Sequence, residues 1–265
     1  MSVSNTPGVT LQMADGIARV TLSNPARRNA ITRGMWLELT QITEQLAARD
    51  DLRVVLIRGE GDIAFASGAD ISEFDESRRD PAQAEQHTDI IQTALDGLAS
   101  IRVPVVALIH GFCIGAGTAI ALACDMRYMD DRARFGVPAA RLGIGYSPNW
   151  IKQLADVVGR AVAAEILTTA QFFDAEKALR CGFANEVRPA AALDEFVETQ
   201  IRTIAANAPL TLTAAKISLH EIYAFESDRD WQAPFDAVHA CAQSRDYLNA
   251  LTAFANKQKP VFHGH

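Results

Sequence analysis

Two glycine-containing turns are the segments of this chain whose residue types best suit chemistry. One reads Phe65-Ala-Ser-Gly-Ala-Asp70 and the other Gly111-Phe-Cys-Ile-Gly-Ala-Gly117, and each lies between a predicted strand and a predicted helix. The first N–H groups of a helix have no internal partner, and glycine lets the backbone approach a ligand closely. Two such turns side by side would offer two N–H donors to one oxygen, as in an oxyanion hole. Tight packing of helix on strand is the alternative reason for the glycines.

Several other functions are disfavoured by composition and by missing motifs. The chain has 265 residues, a formal net charge of −7 and no run of Lys or Arg longer than two, unlike a typical nucleic-acid-binding protein. Its four cysteines form no Cys-x-x-Cys pair, and dinucleotide and P-loop fingerprints are absent. No apolar run reaches about 18 residues, and the first residues do not read as a signal peptide. We therefore expect a cytoplasmic protein that binds no metal and no nucleic acid and does not enter a membrane.

Strands and helices alternate around the two turns. The predicted elements are strands over 9–13 and 17–22, a helix over 32–49, a strand over 53–58, a helix over 82–100, a strand over 104–109, a helix over 115–124, and short strands over 125–129 and 134–137. This alternation predicts an α/β fold in which helices cover the faces of a sheet. From about residue 156 the pattern is nearly all helical, with predicted helices over 157–169, 174–181, 192–207, 209–222, 231–241 and 244–256. Such a region either supplies oligomer contacts or forms a helical cap on the same core.

Taken together, these segments resemble the crotonase superfamily, also called the enoyl-CoA hydratase/isomerase family. The matching segments follow the order of that family over roughly residues 8–260, at 24–31, 65–71, 104–107, 111–117, 123–125, 133–138, 142–143, 168–170 and 175–187. The resemblance implies a crotonase-like spiral of ββα units with the acyl-CoA site over 1–195. A helical C-terminal trimerisation region would follow over 196–265. It also implies a homotrimer, or a hexamer built as a dimer of trimers.

The resemblance further implies an acyl-CoA thioester as the ligand, a role in fatty acid metabolism, and no cofactor apart from coenzyme A as part of the substrate. The N–H groups of Ala69 and Ala116 would stabilise the enolate-like oxygen that forms when the α-carbon of the thioester gains electron density. The adenine end would lie against the loops around 27–30 and 66–71, and the C-terminus of a neighbouring subunit, near Phe262, would close that pocket. The expected binding residues in these loops are Arg27, Arg28, Ala30, Ala66, Gly68, Asp70 and Ile71, together with Gly115 of the second turn.

Two carboxylates that hydratases of this family use are missing. One glutamate of those hydratases acts on water and the other protonates the α-carbon; the matching positions here hold Ala119 and Ala139. General acid–base groups contribute typically about 10²–10⁴-fold each. The resemblance therefore supports binding of a CoA thioester better than it supports ordinary hydration. The two small side chains would also enlarge the acyl pocket.

Tyr146 is the nearest polar candidate to replace them, with Asn149 beside it in a Gly- and Pro-rich turn. This segment resembles that of the family's methylmalonyl-CoA decarboxylases, where a tyrosine occupies the matching position. Loss of CO₂ generates an enolate without a base, and a tyrosine could orient the carboxylate or deliver a proton. An aromatic residue at the pocket rim, with its hydroxyl in water, is an equal alternative.

Other assignments stay open. Phe74 and Trp150 could line the acyl tunnel or pack in the core, Arg27 and Arg28 could meet CoA phosphates or form a plain surface pair, and Asp70 could simply cap the next helix. Isomerisation and thioester hydrolysis remain alternatives to decarboxylation. So does a non-catalytic CoA-binding scaffold that has kept the fold and lost the acids.

Overall fold

Strands and helices alternate through the first two thirds of the chain, and consecutive helices make up most of the remainder. The structure, a computed structural model, describes residues 6–73 and 81–265. The strands are β1 Gly8–Ala14, β2 Ile17–Ser23, β3 Val54–Gly59, β4 Ala64–Ala66, β5 Val105–Ile109, β6 Phe112–Ile114, β7 Met126–Asp130, β8 Arg134–Gly136, β9 Phe173–Asp174 and β10 Glu186–Arg188. The helices are α1 Arg33–Ala47, α2 Pro81–Ala99, α3 Ala116–Leu122, α4 Pro148–Thr169, α5 Ala175–Arg180, α6 Ala190–Ala205, α7 Pro209–Tyr223, α8 Gln232–Gln243 and α9 Arg245–Ala255.

The strands form two sheets. The larger has six strands in the order β1-β2-β3-β5-β7-β10, and all neighbours are parallel except β1 and β2. The smaller has four strands in the order β4-β6-β8-β9, and only β9 runs antiparallel to its neighbour. The pairs β3–β4, β5–β6 and β7–β8 each place one strand in each sheet, and a helix follows each pair. The predicted spiral of ββα units is therefore confirmed.

Apolar side chains cover both faces of the larger sheet. On one face α1 and α2 contribute fully buried residues such as Met35, Leu39, Leu95 and Leu98. On the other face Leu193, Val197 and Ile201 of α6 pack against residues of β2, β3, β5 and β7. All five residues of β5 are buried, as expected for a central strand covered on both sides. The sheet thus forms a fixed base for the turns that follow its strands.

The structure changes several predicted boundaries. α4 begins at Pro148 and not at residue 157, and the backbone leaves helical geometry at Gly159, where φ is 78°. β4, β6 and β9 are strands of two or three residues within segments predicted as turns or helix. Helix α6 crosses the predicted boundary between residues 195 and 196, with buried residues on both sides. The predicted start of α1 is confirmed, since the Thr32 hydroxyl accepts a hydrogen bond from Met35 N over 3.2 Å.

A buried histidine connects the end of β5 to α6. The ring of His110 places Nδ1 2.9 Å from Asp130 Oδ2 and Nε2 2.7 Å from Asp194 Oδ2. Carboxylates can only accept, so a doubly protonated imidazolium satisfies both contacts. Burial by itself lowers the pKa of His110, but the two carboxylates outweigh it and raise the pKa above its usual range. Arg132 contacts Asp130 and Arg58 contacts Asp194. Together with His110, these arginines hold the pKa values of the two carboxylates below their usual range.

No helix in the described part of the chain combines the length and the apolar character needed to cross a bilayer.

The imidazolium predicts a pH-dependent stability. A raised pKa in the folded state adds stability that is complete below the ordinary histidine pKa of about 6.5 and is lost as the pH rises through the folded pKa. In urea titrations we expect the free energy of unfolding to fall above that pH, by up to about 1.4 kcal/mol per pH unit. His110→Gln should flatten this slope, whereas replacing the exposed His239 by Gln should leave it unchanged. Equal slopes in wild type and His110→Gln would contradict the assignment.

Candidate active site

The two glycine turns predicted from the sequence lie against each other. A Cβ atom built on Gly115 would lie 3.8 Å from Gly68 Cα, and one built on Gly68 would lie 3.6 Å from the Ile114 carbonyl oxygen. Both glycines have positive φ, 123° at Gly68 and 54° at Gly115. Side chains are disfavoured in these conformations, so the close approach depends on glycine at both positions.

Neighbouring hydrogen bonds fix the direction of one amide in each turn. Ile31 N donates to the Gly68 carbonyl over 2.8 Å and Asp70 N donates to the Ile31 carbonyl over 2.9 Å, with Ala69 between them. In the second turn the Gly115 carbonyl accepts from Ala119 N over 3.0 Å, which orients the peptide group that carries Ala116 N at the start of α3. Within residues 6–73 and 81–265, neither Ala69 N nor Ala116 N donates to a protein group. Each is therefore available to a ligand.

Both alanines line one cavity of about 300 Å³. Apolar and aromatic side chains form most of its wall, and none of the described lining residues carries a formal charge. A cavity of roughly 150 Å³ is enough for benzene, so this space suits a short or aromatic acyl group. Its lining residues are Trp36, Ser67, Gly68, Ala69, Ile91, Ile114, Gly115, Ala116, Ala119, Val137, Pro138, Ala139, Leu142, Ile144, Gly145, Tyr146, Trp150 and Phe172.

The positions matched to the missing carboxylates, Ala119 and Ala139, lie on this cavity, as does Tyr146. The ring of Tyr146 meets that of Trp150 edge to face, with centroids 5.2 Å apart. Its hydroxyl is buried and has no hydrogen-bond partner among the described residues. Burial raises the pKa of Tyr146, so its hydroxyl remains a neutral donor near neutral pH. The indole N–H of Trp150, in contrast, donates to Gln92 Oε1 over 3.0 Å.

The other residues predicted to bind substrate lie outside the cavity. Arg27 contacts the Asp70 carboxylate over 2.6 Å, and Arg28 lies 5.4 Å from the centroid of the Phe112 ring. Ser72 donates to Asp70 through both its N–H and its hydroxyl. Burial alone would raise the pKa of Asp70, but these hydrogen bonds and the charge of Arg27 hold it below its usual range. Asp70 thus caps the following 3₁₀ turn. This contact supports the alternative that Asp70 has a structural role and does not bind substrate.

The remaining predicted residues are spread over the surrounding structure. Ala30 and Ala66 are buried, Ile71 begins the 3₁₀ turn Ile71–Glu73, and Asn149 is exposed at the start of α4. Phe262 occupies a separate cleft of its own chain beside α6. Phe74 lies outside the described residues. Of the predicted side chains that the structure describes, only those of Ala119, Ala139, Tyr146 and Trp150 join the two turns at the cavity.

Trp36 is a cavity residue that the sequence did not indicate. It lies on the apolar face of α1, next to Met35, and its periodic position is typical of a core residue. Its side chain is buried, yet it also lines the cavity. The available signal was an indole N–H within an otherwise apolar stripe, because such a group needs a partner when buried.

A buried arginine fixes the far end of α3. The guanidinium of Arg127 donates to the Cys124 carbonyl over 2.7 Å, to the Ala121 carbonyl over 3.2 Å and to the Phe183 carbonyl over 2.7 Å. Cations near a helix C-terminus satisfy its free carbonyls and favour the helix dipole. α3 is therefore held at its C-terminal end while its N-terminal Ala116 faces the cavity.

Among the described residues, no group of three or more His, Cys, Asp or Glu side chains could hold a metal ion.

Comparison with known proteins identifies similar sequences and similar structures. The enoyl-CoA hydratase/isomerase family profile matches residues 12–265. A short-chain-enoyl-CoA hydratase of Clostridium acetobutylicum is 28% identical over 95% of each chain. The human mitochondrial enoyl-CoA hydratase domain-containing protein 3 is 30% identical over 94% of this chain and 81% of its own. The crystal structure of an enoyl-CoA hydratase/carnithine racemase from Magnetospirillum magneticum is 34% identical, with a TM-score of 0.92 over 100% of this chain and 97% of its own.

The packing of α3 beneath the two turns gives a stability prediction. A Cβ on Gly117 would lie 2.6 Å from the Ala66 carbonyl oxygen and 3.0 Å from Ala66 Cβ. Gly117→Ala should lower the free energy of unfolding by about 1–3 kcal/mol in urea titrations, because overpacking costs that much. In the control Gly34→Ala, the nearest atom to the new Cβ is 3.7 Å away, so α1 should keep or gain stability. A Gly117→Ala variant as stable as the wild type would show that α3 does not pack this closely against Ala66.

Proposed function

This chain belongs to the enoyl-CoA hydratase/isomerase family, and we propose that it stabilises the enolate of an acyl-CoA thioester between the N–H groups of Ala69 and Ala116. The observation that carries the proposal is a pair of amides on adjacent turns, those of Ala69 and Ala116, which donate to no protein group in the described part of the chain and belong to residues that line one cavity. An oxygen that gains negative charge there would accept from both donors. Removing one such donor costs roughly 3–4 kcal/mol of transition-state stabilisation in known enzymes.

The reaction that supplies the electron pair depends on other groups. A thioester enolate forms when the α-carbon loses a proton, when a nucleophile adds to the β-carbon of a conjugated thioester, or when a carboxylate on the α-carbon leaves as CO₂. Hydration by two glutamates needs carboxylates where Ala119 and Ala139 lie. We therefore propose chemistry other than two-glutamate hydration, although the relatives named above are hydratases. The alanines enlarge the space beside the thioester.

Decarboxylation is the second candidate, and the Tyr146 hydroxyl favours it. That hydroxyl is buried in the cavity wall and has no protein partner in the described part of the chain. In this reaction the bond between the carboxylate carbon and the α-carbon breaks, and its electron pair moves onto the α-carbon and the thioester oxygen. CO₂ leaves, and a proton then adds to the α-carbon. A neutral tyrosine can orient the carboxylate or donate in the final step.

The remainder of coenzyme A would lie outside the acyl cavity, along the loops that hold the first turn. Arg27 and Arg28 are exposed there and can meet the phosphates. Arg27 would do so while bound to Asp70, so its guanidinium is already oriented. Closure of the adenine pocket by Phe262 of a neighbouring subunit remains part of this proposal. A substrate of this kind suits a role in fatty acid metabolism.

The C-terminal helices support the proposed homotrimer or hexamer. They expose large apolar side chains, including Phe254 at 85% and Phe235 at 68% of full exposure. Four more residues are more than half exposed: Trp231, which precedes α8, Val238 on α8, and Leu248 and Leu251 on α9. Extended apolar surface of this kind usually marks an interface. A second copy of the chain is the partner that the family resemblance implies.

The function can be tested with a panel of CoA thioesters. Wild-type protein is incubated with malonyl-type, enoyl, aryl and saturated CoA esters, and the products are identified by mass. We expect turnover of at least one ester, with little hydration of crotonyl-CoA. If Tyr146 takes part in decarboxylation, Tyr146→Phe should lower turnover of the malonyl-type ester at least tenfold while CoA ester affinity is retained. Binding without turnover of any ester would indicate a non-catalytic scaffold.

A gain-of-function variant serves as the control for the oxyanion hole. Ala119→Glu combined with Ala139→Glu places two carboxylates on the cavity that both amides line. Hydration of crotonyl-CoA should then rise by at least about 10²-fold, since each acid–base group contributes about that much or more. An inactive double variant that still folds and binds crotonyl-CoA would argue against a shared oxyanion site at Ala69 and Ala116.

Self-association has its own test. Phe254→Glu places a charge on the most exposed large apolar residue of the described chain, so it should shift a trimer or hexamer toward monomer in sedimentation velocity. Ile63→Glu changes another exposed apolar residue, 64% exposed and on a loop far away in the sequence; it is the control and should leave the oligomer intact. A monomeric wild-type protein at micromolar concentration would contradict the proposed assembly.

A further inference from the structure

A row of side chains connects the surface of α2 to the wall of the acyl cavity. The Gln92 amide nitrogen donates to Asp96 Oδ1 over 2.7 Å, and Trp150 Nε1 donates to Gln92 Oε1 over 3.0 Å. The Trp150 ring then meets the Tyr146 ring edge to face, with centroids 5.2 Å apart. Because Trp150 and Tyr146 both line the cavity, the shape of its wall depends on a contact with α2.

The two neighbours of Gln92 determine how its amide group is oriented. A carboxylate can only accept, so the NH₂ group of Gln92 faces Asp96. An indole N–H can only donate, so the carbonyl oxygen of Gln92 faces Trp150. Gln92 and Asp96 lie four residues apart on one helix, a spacing at which such side chains meet. A single orientation of the amide therefore satisfies both contacts, and Asp96 selects it.

Trp150 needs this acceptor to keep its ring in the cavity wall. It lies in the first turn of α4, and its side chain is half-buried. The N–H of a buried tryptophan requires a partner, and water is the alternative to a protein acceptor. Without the Gln92 oxygen, the indole N–H would turn toward solvent and withdraw the ring from the wall. The cavity of about 300 Å³ would then open on the side of α4.

We propose that Gln92 is a positioning residue that, by holding Trp150 in the wall, limits the length of the acyl group that the cavity accepts. This inference rests on the proposed function, since it assumes that the acyl group of a CoA thioester occupies the cavity. Gln92 acts through Trp150, whose ring is the part of this row that meets the acyl chain. With the hydrogen bond in place the cavity selects short acyl groups, and without it longer chains fit.

A purely structural connection between α2 and α4 is the competing explanation for the hydrogen bond. Such a connection would add to the stability of the folded chain, as any internal hydrogen bond can. Its loss would change the affinity for short and long acyl groups by the same factor, or leave both unchanged. The ratio of the two affinities therefore separates the two explanations, whereas stability alone does not.

Calorimetry on the full chain with butanoyl-CoA and decanoyl-CoA measures this ratio. Wild type should bind the butanoyl ester more tightly. Gln92→Leu removes the acceptor and keeps a good helix former, so the ratio should shift toward decanoyl-CoA by about fivefold or more. Gln86→Leu is the matched control, because it makes the same change at an exposed position of the same helix. The control should keep the wild-type ratio.

An exchange of functional groups tests whether the hydrogen bond itself is responsible. Gln92→Glu combined with Asp96→Asn moves the carboxylate to position 92 and the amide to position 96, with no change in net charge. The carboxylate at 92 can accept from both the amide at 96 and the indole N–H of Trp150. This double variant should restore the wild-type ratio, whereas Gln92→Leu combined with Asp96→Asn should not.

The indole N–H of Trp150 also reports the contact directly in nuclear magnetic resonance spectra. The chain has three tryptophans and so three indole N–H signals, and Trp150→Phe identifies the one that is lost. In Gln92→Leu this signal should shift and exchange faster with water, and in the exchanged double variant it should be protected again. In the Trp150→Phe background, Gln92→Leu should no longer change the affinity ratio, because the two residues act as one unit.

Three results would overturn the proposal. They are tighter binding of decanoyl-CoA by wild type, an unchanged ratio in Gln92→Leu, and a shift of the ratio that persists in the Trp150→Phe background. If Gln92→Leu does not fold, Gln92→Met takes its place, since it also lacks a carbonyl oxygen. Absence of binding by both esters shows that the proposed function has failed, and acyl selection with it. The indole signal would then still show whether the hydrogen bond forms, so the two failures are distinguishable.

Discussion

The site depends on the orientation of two peptide groups, at Gly68–Ala69 and at Gly115–Ala116. The Gly68 carbonyl accepts from Ile31 N over 2.8 Å, and the Gly115 carbonyl accepts from Ala119 N over 3.0 Å. In a trans peptide the N–H lies opposite the carbonyl, so the N–H groups of Ala69 and Ala116 point away from these two bonds. Ile31 follows a loop that Asn29 anchors through 2.7 and 3.0 Å hydrogen bonds to the carbonyls of Ala64 and Glu60. Hydrogen bonds thus connect the first turn to β4 of the smaller sheet and to the segment that follows β3.

A site built from main-chain donors leaves its side chains free to differ. Replacing a side chain at Ala119, Ala139 or Tyr146 removes no protein hydrogen bond within the described chain, since none of these side chains makes one. Replacing Gly117, in contrast, would force α3 away from β4. Arg127 adds to this difference by fixing the other end of α3. The residues that hold the proposed oxyanion donors are therefore distinct from those that would select the reaction.

The difference between residues that position the backbone and residues that line the cavity also explains how much of the structure could be predicted from the sequence. The β1–β2 hairpin, the Thr32 cap and the two turns each have a local signal, whether periodicity, a hydroxyl or a glycine, and the structure shows them. β4, β6 and β9 have only two or three residues, too few for a periodic pattern, and their pairing comes from neighbouring strands. The first residues of α4 belong to a Gly- and Pro-rich segment that favours a turn, so the sequence predicted a later start of this helix. Trp36 has the pattern of a core residue, and only tertiary structure shows that its N–H is unpaired.

These observations limit which properties of a family can be inferred for this chain from a resemblance in sequence. The motifs that carry it are glycines and small residues at positions where the backbone is constrained, so they report the fold and the two amides. The groups that would determine the bond being broken lie on the cavity wall, and here they are two alanines, a tyrosine and a tryptophan. Among the described residues of this wall there is no carboxylate. The backbone of the two turns therefore carries the proposed stabilisation of charge, while the side chains of the cavity wall would determine which acyl group is accepted.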